Sequence, residues 1–141
     1  MNAAPRMVTR LRGGDATVGR ALEAVGGFAD RAGIPDELRS DLFVIVDEVV
    51  SNLLKYGGVK REELDLEIRA SIDETNLVLR FSDSGLPFDP LSAKAPALDI
   101  PVERRREGGL GIHLFRALTD TQRYVREDGR NVLVLTRSIA K

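Results

Sequence analysis

The sequence has no cysteine and only one histidine, His113. The first absence excludes disulfides, thiolate metal sites and cysteine nucleophiles together, and a lone imidazole cannot build a histidine-based metal site. Long apolar runs are missing too, since none approaches the ~18 residues that a membrane-spanning helix needs. The N-terminal stretch Met1 to Gly14 carries basic residues without the apolar segment of a secretory signal. Together these absences lead to the expectation of a cytoplasmic protein with no membrane partner. A dominant charge is also lacking: 21 basic residues stand against 22 acidic ones, so no global field draws in nucleic acid directly.

What remains is ordinary material for a folded domain, with 141 residues, 43% of them hydrophobic and 30% charged. At this length a domain hides roughly two thirds of the surface of its unfolded chain, enough for a real core. A short apolar-basic stretch around Met7 to Leu11 reads as a first strand. Asp15 is placed to cap a helix in which Val18, Leu22, Val25 and Ala29 recur at helical spacing, with Gly33 as its stop. Pro35 and Asp36 open a longer helix whose stripe runs through Leu38, Leu42, Ile45, Val46, Val49, Leu53 and Leu54 to Gly57 and Gly58.

From Leu64 the period becomes two. Leu64, Leu66, Ile68, Ala70 and Ile72 alternate with charged residues, Asp73 to Asn76 turn the chain, and Leu77, Leu79 and Phe81 follow. This predicts an antiparallel hairpin with one wet face. Pro87 to Gly108 shows no sustained period and reads as a functional loop, with Gly109 to Leu118 as a helix after it. Gln122 to Val125 and Asn131 to Thr136 are two further strands around a turn at Asp128-Gly129. The order β-α-α-β-β-loop-α-β-β predicts an α+β fold: a two-layer sandwich with helices on one face of a mixed, mainly antiparallel sheet.

Three clusters bear chemistry. In Asp47-Glu48-Val49-Val50-Ser51-Asn52, Glu48 and Asn52 are four apart on a helix and leave the same face one turn apart. A carboxylate beside an amide oxygen suits a magnesium-nucleotide site, where the ion keeps most of its waters and takes few protein ligands. Asn52 would be the metal ligand and Glu48 the base; the same pair also fits the solvated side of an amphipathic helix. In Asp83-Ser84-Gly85-Leu86-Pro87-Phe88-Asp89-Pro90, Asp83 is able to accept a hydrogen bond from an exocyclic amino group, while Gly85 admits a flat ring. An ordinary turn after a strand has the same composition. In Glu107-Gly108-Gly109-Leu110-Gly111-Ile112, glycines lead into a helix whose free N–H groups favour phosphate, and a ligand-free hinge reads the same way. Its spacing is that of neither a P-loop nor a dinucleotide fingerprint.

In order and content, Glu48…Asn52, then Asp83-x-Gly85-x-Pro87-Phe88-Asp89, then Gly108-Gly109-Leu110-Gly111 resemble the N, G1 and G2 boxes of GHKL ATPases and kinases. Pro87-Phe88-Asp89-Pro90, Gly109-Leu110-Gly111-Ile112-His113-Leu114 and the tail Asp128-Gly129-Arg130-Asn131-Val132-Leu133 are similar to the bacterial anti-sigma-factor serine/threonine kinases. The resemblance spans nearly the whole chain and implies a single histidine-kinase-like ATPase domain over 1–141, with a short ATP lid around 91–108. It implies binding of ATP or ADP with Mg2+. Glu48 is then the catalytic base and Asn52 the magnesium and nucleotide ligand. Asp83, Gly85, Pro87 and Phe88 bind the adenine side, and Gly108, Gly109, Leu110 and Gly111 the phosphates. The implied partners are a sigma factor, a STAS-fold anti-sigma antagonist phosphorylated on serine or threonine, and a second copy of the chain. A non-catalytic module of the same fold that captures its partner is the other reading; a histidine-kinase ATPase part acting in trans is a third, against which the Pro-Phe-Asp-Pro box counts. The chain departs from the kinases at Lys55-Tyr56-Gly57, where a histidine commonly precedes the glycine. The Arg104-Arg105-Arg106 run and His113 are read as solvated surface and as structural or surface, respectively.

Overall fold

The structure, a computed structural model, describes residues 4–12, 17–56, 63–91 and 110–139, with residues 56 and 110–113 described by their backbone alone. Five strands and three helices run in the order β1 (Arg6–Arg12), α1 (Thr17–Ala32), α2 (Asp36–Tyr56), β2 (Asp65–Asp73), β3 (Asn76–Asp83), α3 (Leu110–Ala117), β4 (Thr121–Glu127) and β5 (Arg130–Ser138). The strands form one sheet in the order β1-β2-β3-β5-β4. The α+β sandwich expected from the sequence is what forms. Its sheet corrects one detail: all four pairings are antiparallel, where a mixed sheet was expected. The hairpins β2-β3 and β4-β5 need only short turns, and β5 returns beside β3, so no parallel crossover arises among the described strands.

Local chemistry sets the boundaries. Helix α1 ends where Gly33 takes a left-handed φ of 66°. The Gly33 N–H then reaches the Asp30 carbonyl at 3.3 Å and the Ile34 N–H the Ala29 carbonyl at 3.1 Å, which is the Schellman arrangement. Asp15, the expected cap, lies outside the described residues; the hydroxyl of Thr17 instead ties the start of α1 to the Arg12 carbonyl at 3.0 Å. Helix α2 opens with Asp36 and Glu37 and closes with Lys55, matching its dipole at both ends. The β4-β5 turn takes Asp128 and Gly129 at φ 53° and 75°, the two left-handed residues a tight hairpin requires.

The alternation read in β2 and β3 becomes the two faces of the sheet. Leu66, Ile68, Leu77, Leu79 and Phe81 are buried beneath the helices, together with Leu133 and Leu135 of β5. The helices supply Phe28, Leu42, Ile45, Val46 and Phe115 to the same core. Helix α2 packs between α1 and α3. Each such side chain removed from water contributes about 1.5–3 kcal/mol.

The opposite face is polar but not uniformly wet. Glu67 is buried there under three guanidinium groups, with Arg69 at 2.8 Å, Arg10 at 3.0 Å and Arg80 at 3.5 Å. Arg69 foremost, and then Arg10, hold its carboxyl below the usual glutamate range against the upward pull of burial. Among the described residues no helix is long and apolar enough to cross a membrane.

Candidate functional site

Strand register builds the site. Asp83 follows Leu77, Leu79 and Phe81 on the helix-facing side of β3, so it is the residue at which the core row turns polar. Its cross-strand partner on β5 is Asn131, whose own partner on β4 is Arg126. Asp83, Asn131 and Arg126 therefore form one row across three strands, and Tyr124 with Leu133 forms the next. Helix α2 lies over this end of the sheet with Val49, Asn52 and Leu53.

Between them is a narrow cleft with a free volume of about 30 Å³ in this structure. Its walls are mainly apolar: Val49 and Leu53 on one side, Phe81 and Leu133 below, Phe115 at the back, Leu86 and Phe88 at the rim. The polar groups that enter it are Asn52, Asp83, Tyr124 and Asn131. An apolar lining with one buried carboxylate at its wall has the chemistry to recognise a heteroaromatic ring that carries an amino group.

Asp83 is 3% exposed. Burial raises its pKa, while hydrogen bonds from Asn131 and from the Gly85 N–H oppose the rise, as do the charges of Arg130 and Arg126. Both of those hydrogen bonds fall on one oxygen: Oδ1 accepts the Gly85 N–H at 2.8 Å and the Asn131 Nδ2–H at 3.0 Å. Among the described residues Oδ2 accepts none, which leaves it for a ligand.

The loop after β3 is pinned at several points. Ser84 exchanges two hydrogen bonds with the Asp65 backbone, its N–H donating at 3.0 Å and its hydroxyl accepting at 2.9 Å. Gly85 is buried and its carbonyl accepts from Arg126 at 2.8 Å. The Leu91 N–H donates to Asp89 at 2.8 Å, and the Leu91 carbonyl accepts from Arg116 at 3.2 Å. Phe88 is 37% exposed and reaches the rim, whereas Pro87 is exposed and Pro90, two residues past Phe88, lines the cavity.

Glu48 and Asn52 do leave one face of α2, with Asn52 in the cavity wall and Glu48 half-buried one turn earlier. Burial raises the Glu48 pKa first, the neighbouring Asp47 carboxylate adds to it, and Lys55 opposes. The described residues contain no cluster of three or more acidic or histidine side chains able to hold a metal ion. With one amide oxygen from Asn52, a divalent ion fits here only in company with a ligand's own phosphate oxygens.

Of the predicted glycine cluster, Gly108 and Gly109 lie outside the described residues, as do residues 92–108 of the lid expected around 91–108, the Arg104–Arg106 run and the side chain of His113. Leu110 and Gly111 form the first turn of α3, so their backbone N–H groups are helix-start donors. Sequence spacing did not single out Asn131, Tyr124, Arg126 or Phe115 as site residues: Tyr124 and Phe115 read only as parts of a strand and a helix, Asn131 as part of the closing hairpin, and Arg126 fell just past the strand read over Gln122 to Val125.

The sequence profile of the family described as the histidine kinase-like ATPase domain matches residues 14–137. The chain belongs to that family. Its curated relatives include a serine-protein kinase RsbW of Listeria innocua, 32% identical over 120 residues that cover 82% of this chain and 76% of that protein. Another, the serine-protein kinase RsbW of Oceanobacillus iheyensis, is 33% identical over 107 residues, 73% of this chain and 68% of that protein. Among solved structures, the RsbU and RsbW domains of a Mycobacterium tuberculosis protein share the fold at a TM-score of 0.67 and 14% identity. That match covers 95% of this chain and 32% of the other. The catalytic domain of the histidine kinase ThkA does so at a TM-score of 0.57 and 13% identity, over 95% of this chain and 99% of the other.

Proposed function

We propose that the chain is an ATP-dependent serine/threonine protein kinase that also acts as an anti-sigma factor. Its substrate is then a STAS-type antagonist protein and its captive a sigma factor, as its similarity to the RsbW kinases supports. The observation that carries the nucleotide half is the Asp83 carboxylate, buried at the wall of an apolar slot with one oxygen committed to the protein and the other uncommitted among the described residues. That oxygen receives the adenine amino group, and Val49, Leu53 and Phe81 sandwich the ring. Gly85 gives the ring room at the backbone, with Pro87 and Phe88 closing the adenine side.

The adenine end then fixes the direction of the triphosphate, along α2 toward Glu48 and toward the start of α3. By the family likeness Gly108, Gly109, Leu110 and Gly111 are the residues proposed to meet the phosphates, Leu110 and Gly111 through N–H groups at the start of α3. Asn52 would hold Mg2+ together with those phosphate oxygens, and the ion would supply neutralisation of their charge. Glu48, with its raised pKa, takes the proton of the attacking hydroxyl as the new oxygen–phosphorus bond forms and the bond to ADP breaks. The same family likeness supports the proposal that the chain acts in the cytoplasm as one ATPase domain over 1–141 and is able to pair with a second copy of itself.

The test is phosphotransfer from ATP to a STAS-fold antagonist by the purified chain and by Glu48→Gln. A general base contributes roughly 10²–10⁴-fold, so the variant is expected to lose at least about a hundredfold in rate while ATP binding stays within about threefold. Transfer at the wild-type rate by Glu48→Gln removes Glu48 as the base. Sigma-factor capture without any transfer by the wild type favours the non-catalytic capture module instead.

A further inference from the structure

We propose that Asn131, on β5, is the positioning residue that gives this site its preference for a 6-amino purine. It commits Asp83 Oδ1 to the protein, turns Oδ2 into the cavity, and fastens the recognition loop to the β4-β5 hairpin. The inference rests on the nucleotide reading above and goes beyond it by assigning selectivity to a residue on a different strand from the recognition carboxylate.

Asn131 is 5% exposed and every hydrogen-bonding position of its side chain is used. The amide nitrogen donates to Asp83 Oδ1 at 3.0 Å and to the Leu86 carbonyl at 2.9 Å. The amide oxygen accepts from the Tyr124 hydroxyl at 2.6 Å, the Phe88 N–H at 3.2 Å and the Arg126 guanidinium at 3.2 Å. Two acceptors on one side and three donors on the other leave one orientation of the amide that satisfies all five. A flip would set N–H groups against the Phe88 N–H and the Arg126 guanidinium, and an oxygen against the Asp83 carboxylate and the Leu86 carbonyl.

The consequence for Asp83 is directional. A buried carboxylate held by the Gly85 N–H alone still turns its plane about that bond; a second donor arriving from β5 on the same oxygen fixes the plane, and with it the direction of the other oxygen. The same amide holds Leu86 and Phe88, the two rim residues, so the carboxylate and the rim are set by one side chain. Arg126 reinforces the clamp by bridging the Gly85 carbonyl and the Asn131 oxygen. The Asn131 N–H also counters the upward pull of burial on the Asp83 pKa, which keeps the carboxylate in the form that accepts a hydrogen bond.

The experiment is calorimetric titration of the full chain with Mg-ATP and with Mg-ITP, whose purine carries oxygen in place of the 6-amino group. Wild type, Asn131→Leu, Asn131→Ser and Asp83→Asn are compared, each first checked for a cooperative thermal transition. The serine variant keeps a small polar group and guards against a leucine variant that does not fold. Both Asn131 variants are expected to lose about tenfold or more in ATP affinity with ITP affinity within about threefold, collapsing the ATP/ITP ratio, as loss of one charge-assisted hydrogen bond dictates. The ATP affinity of the variants is also expected to fall at a higher pH than that of wild type on acidification, since Asp83 loses a bond that favours its ionised form.

In the Asp83→Asn background, Asn131→Ser is expected to change the ratio by less than about threefold, because it acts through Asp83. Parallel losses of ATP and ITP with an unchanged ratio and pH profile overturn the proposal and leave Asn131 a purely structural residue. A ratio that collapses in Asp83→Asn but stays at the wild-type value in the Asn131 variants also overturns it, with the nucleotide reading intact. An ATP affinity untouched by Asp83→Asn overturns the adenine reading itself, and this proposal with it.

Discussion

Asp83→Asn does more than weaken ATP binding; the geometry around Asp83 makes the substitution invert the purine preference. Two donors, the Gly85 N–H at 2.8 Å and the Asn131 Nδ2–H at 3.0 Å, converge on Oδ1. An amide at this position must turn its oxygen toward them, because its NH2 there would meet two donors and leave all three unsatisfied. The new NH2 therefore takes the place of Oδ2 and presents a donor to the cavity. A 6-amino purine then meets donor with donor and forfeits a hydrogen bond to a charged group worth about 1.5–3 kcal/mol, or roughly 10- to 150-fold in affinity. A 6-oxo purine meets its complement instead and gains a neutral bond of about 0.5–1.5 kcal/mol, roughly 2- to 12-fold. Competition of Mg-ATP and Mg-ITP against a fluorescent nucleotide, on wild type and variant side by side, reads both changes in one assay. The expected ratio swing is at least about twentyfold in favour of ITP, the product of the two smaller factors. Equal weakening of both nucleotides refutes the reasoning, because it means that the amide at 83 does not present its NH2 to the ring.

Glu48 sits beside Asp47, whose charge adds to the rise of its pKa, and within the field of Lys55, which opposes it. The rate of phosphotransfer is expected to rise with pH through a limb above the ordinary glutamate range of about 4.3, since the ionised form is the base. Asp47→Asn moves that limb to lower pH and Lys55→Met to higher pH; a limb that stays put in both, followed in single-turnover assays, excludes Glu48 as its origin. On the other face of the sheet, Glu67→Gln is expected to cost about 1–2 kcal/mol of stability at pH 7, because the carboxylate is buried while its arginine partners are partly exposed. The folded pKa of Glu67 is depressed, so this stability is present above the unfolded value of about 4.3 and lost as pH falls through the folded value. Urea midpoints of the two proteins should therefore converge on acidification, and a constant gap down to pH 3 refutes the ionic origin.

Much of the fold was legible because period and punctuation agreed. Leu64 to Phe81 alternated cleanly around a turn, and the stripe from Leu38 to Leu54 was wide enough to demand burial against a sheet. The left-handed pair Asp128-Gly129 and the stop at Gly33 took the backbone that their residue types favour. Less legible was the width of the elements: β4 and β5 run from Thr121 to Glu127 and from Arg130 to Ser138, past the apolar residues that marked them. Their ends are held by ladder hydrogen bonds between polar residues, which leave no trace in hydropathy. The burial of Glu67 was invisible for a related reason, since a charged residue at an outward strand position reads as solvated until its partners prove to be arginines: Arg10 across on β1, Arg69 on its own strand and Arg80 diagonally across on β3.

The candidate site divides along the same line. Glu48 and Asn52 were readable because four residues along one helix fix a shared face, and Asp83 because it follows a strand that ends in turn formers. Asn131 belongs to the same site through a pairing 48 residues away in sequence, and no local spacing encodes that. Yet its parity was there to be read. Leu133 and Leu135 are apolar at two and four residues beyond it, so Asn131 occupies a core-facing position of β5, just as Asp83 occupies one of β3. A polar residue on the buried parity of a strand must find partners or leave costly unpaired groups. Two such residues, one closing β3 and the other near the start of antiparallel β5, lie at the same end of the sheet and are each other's natural partners. The pair marks the place where the core row stops being hydrocarbon and becomes a binding site.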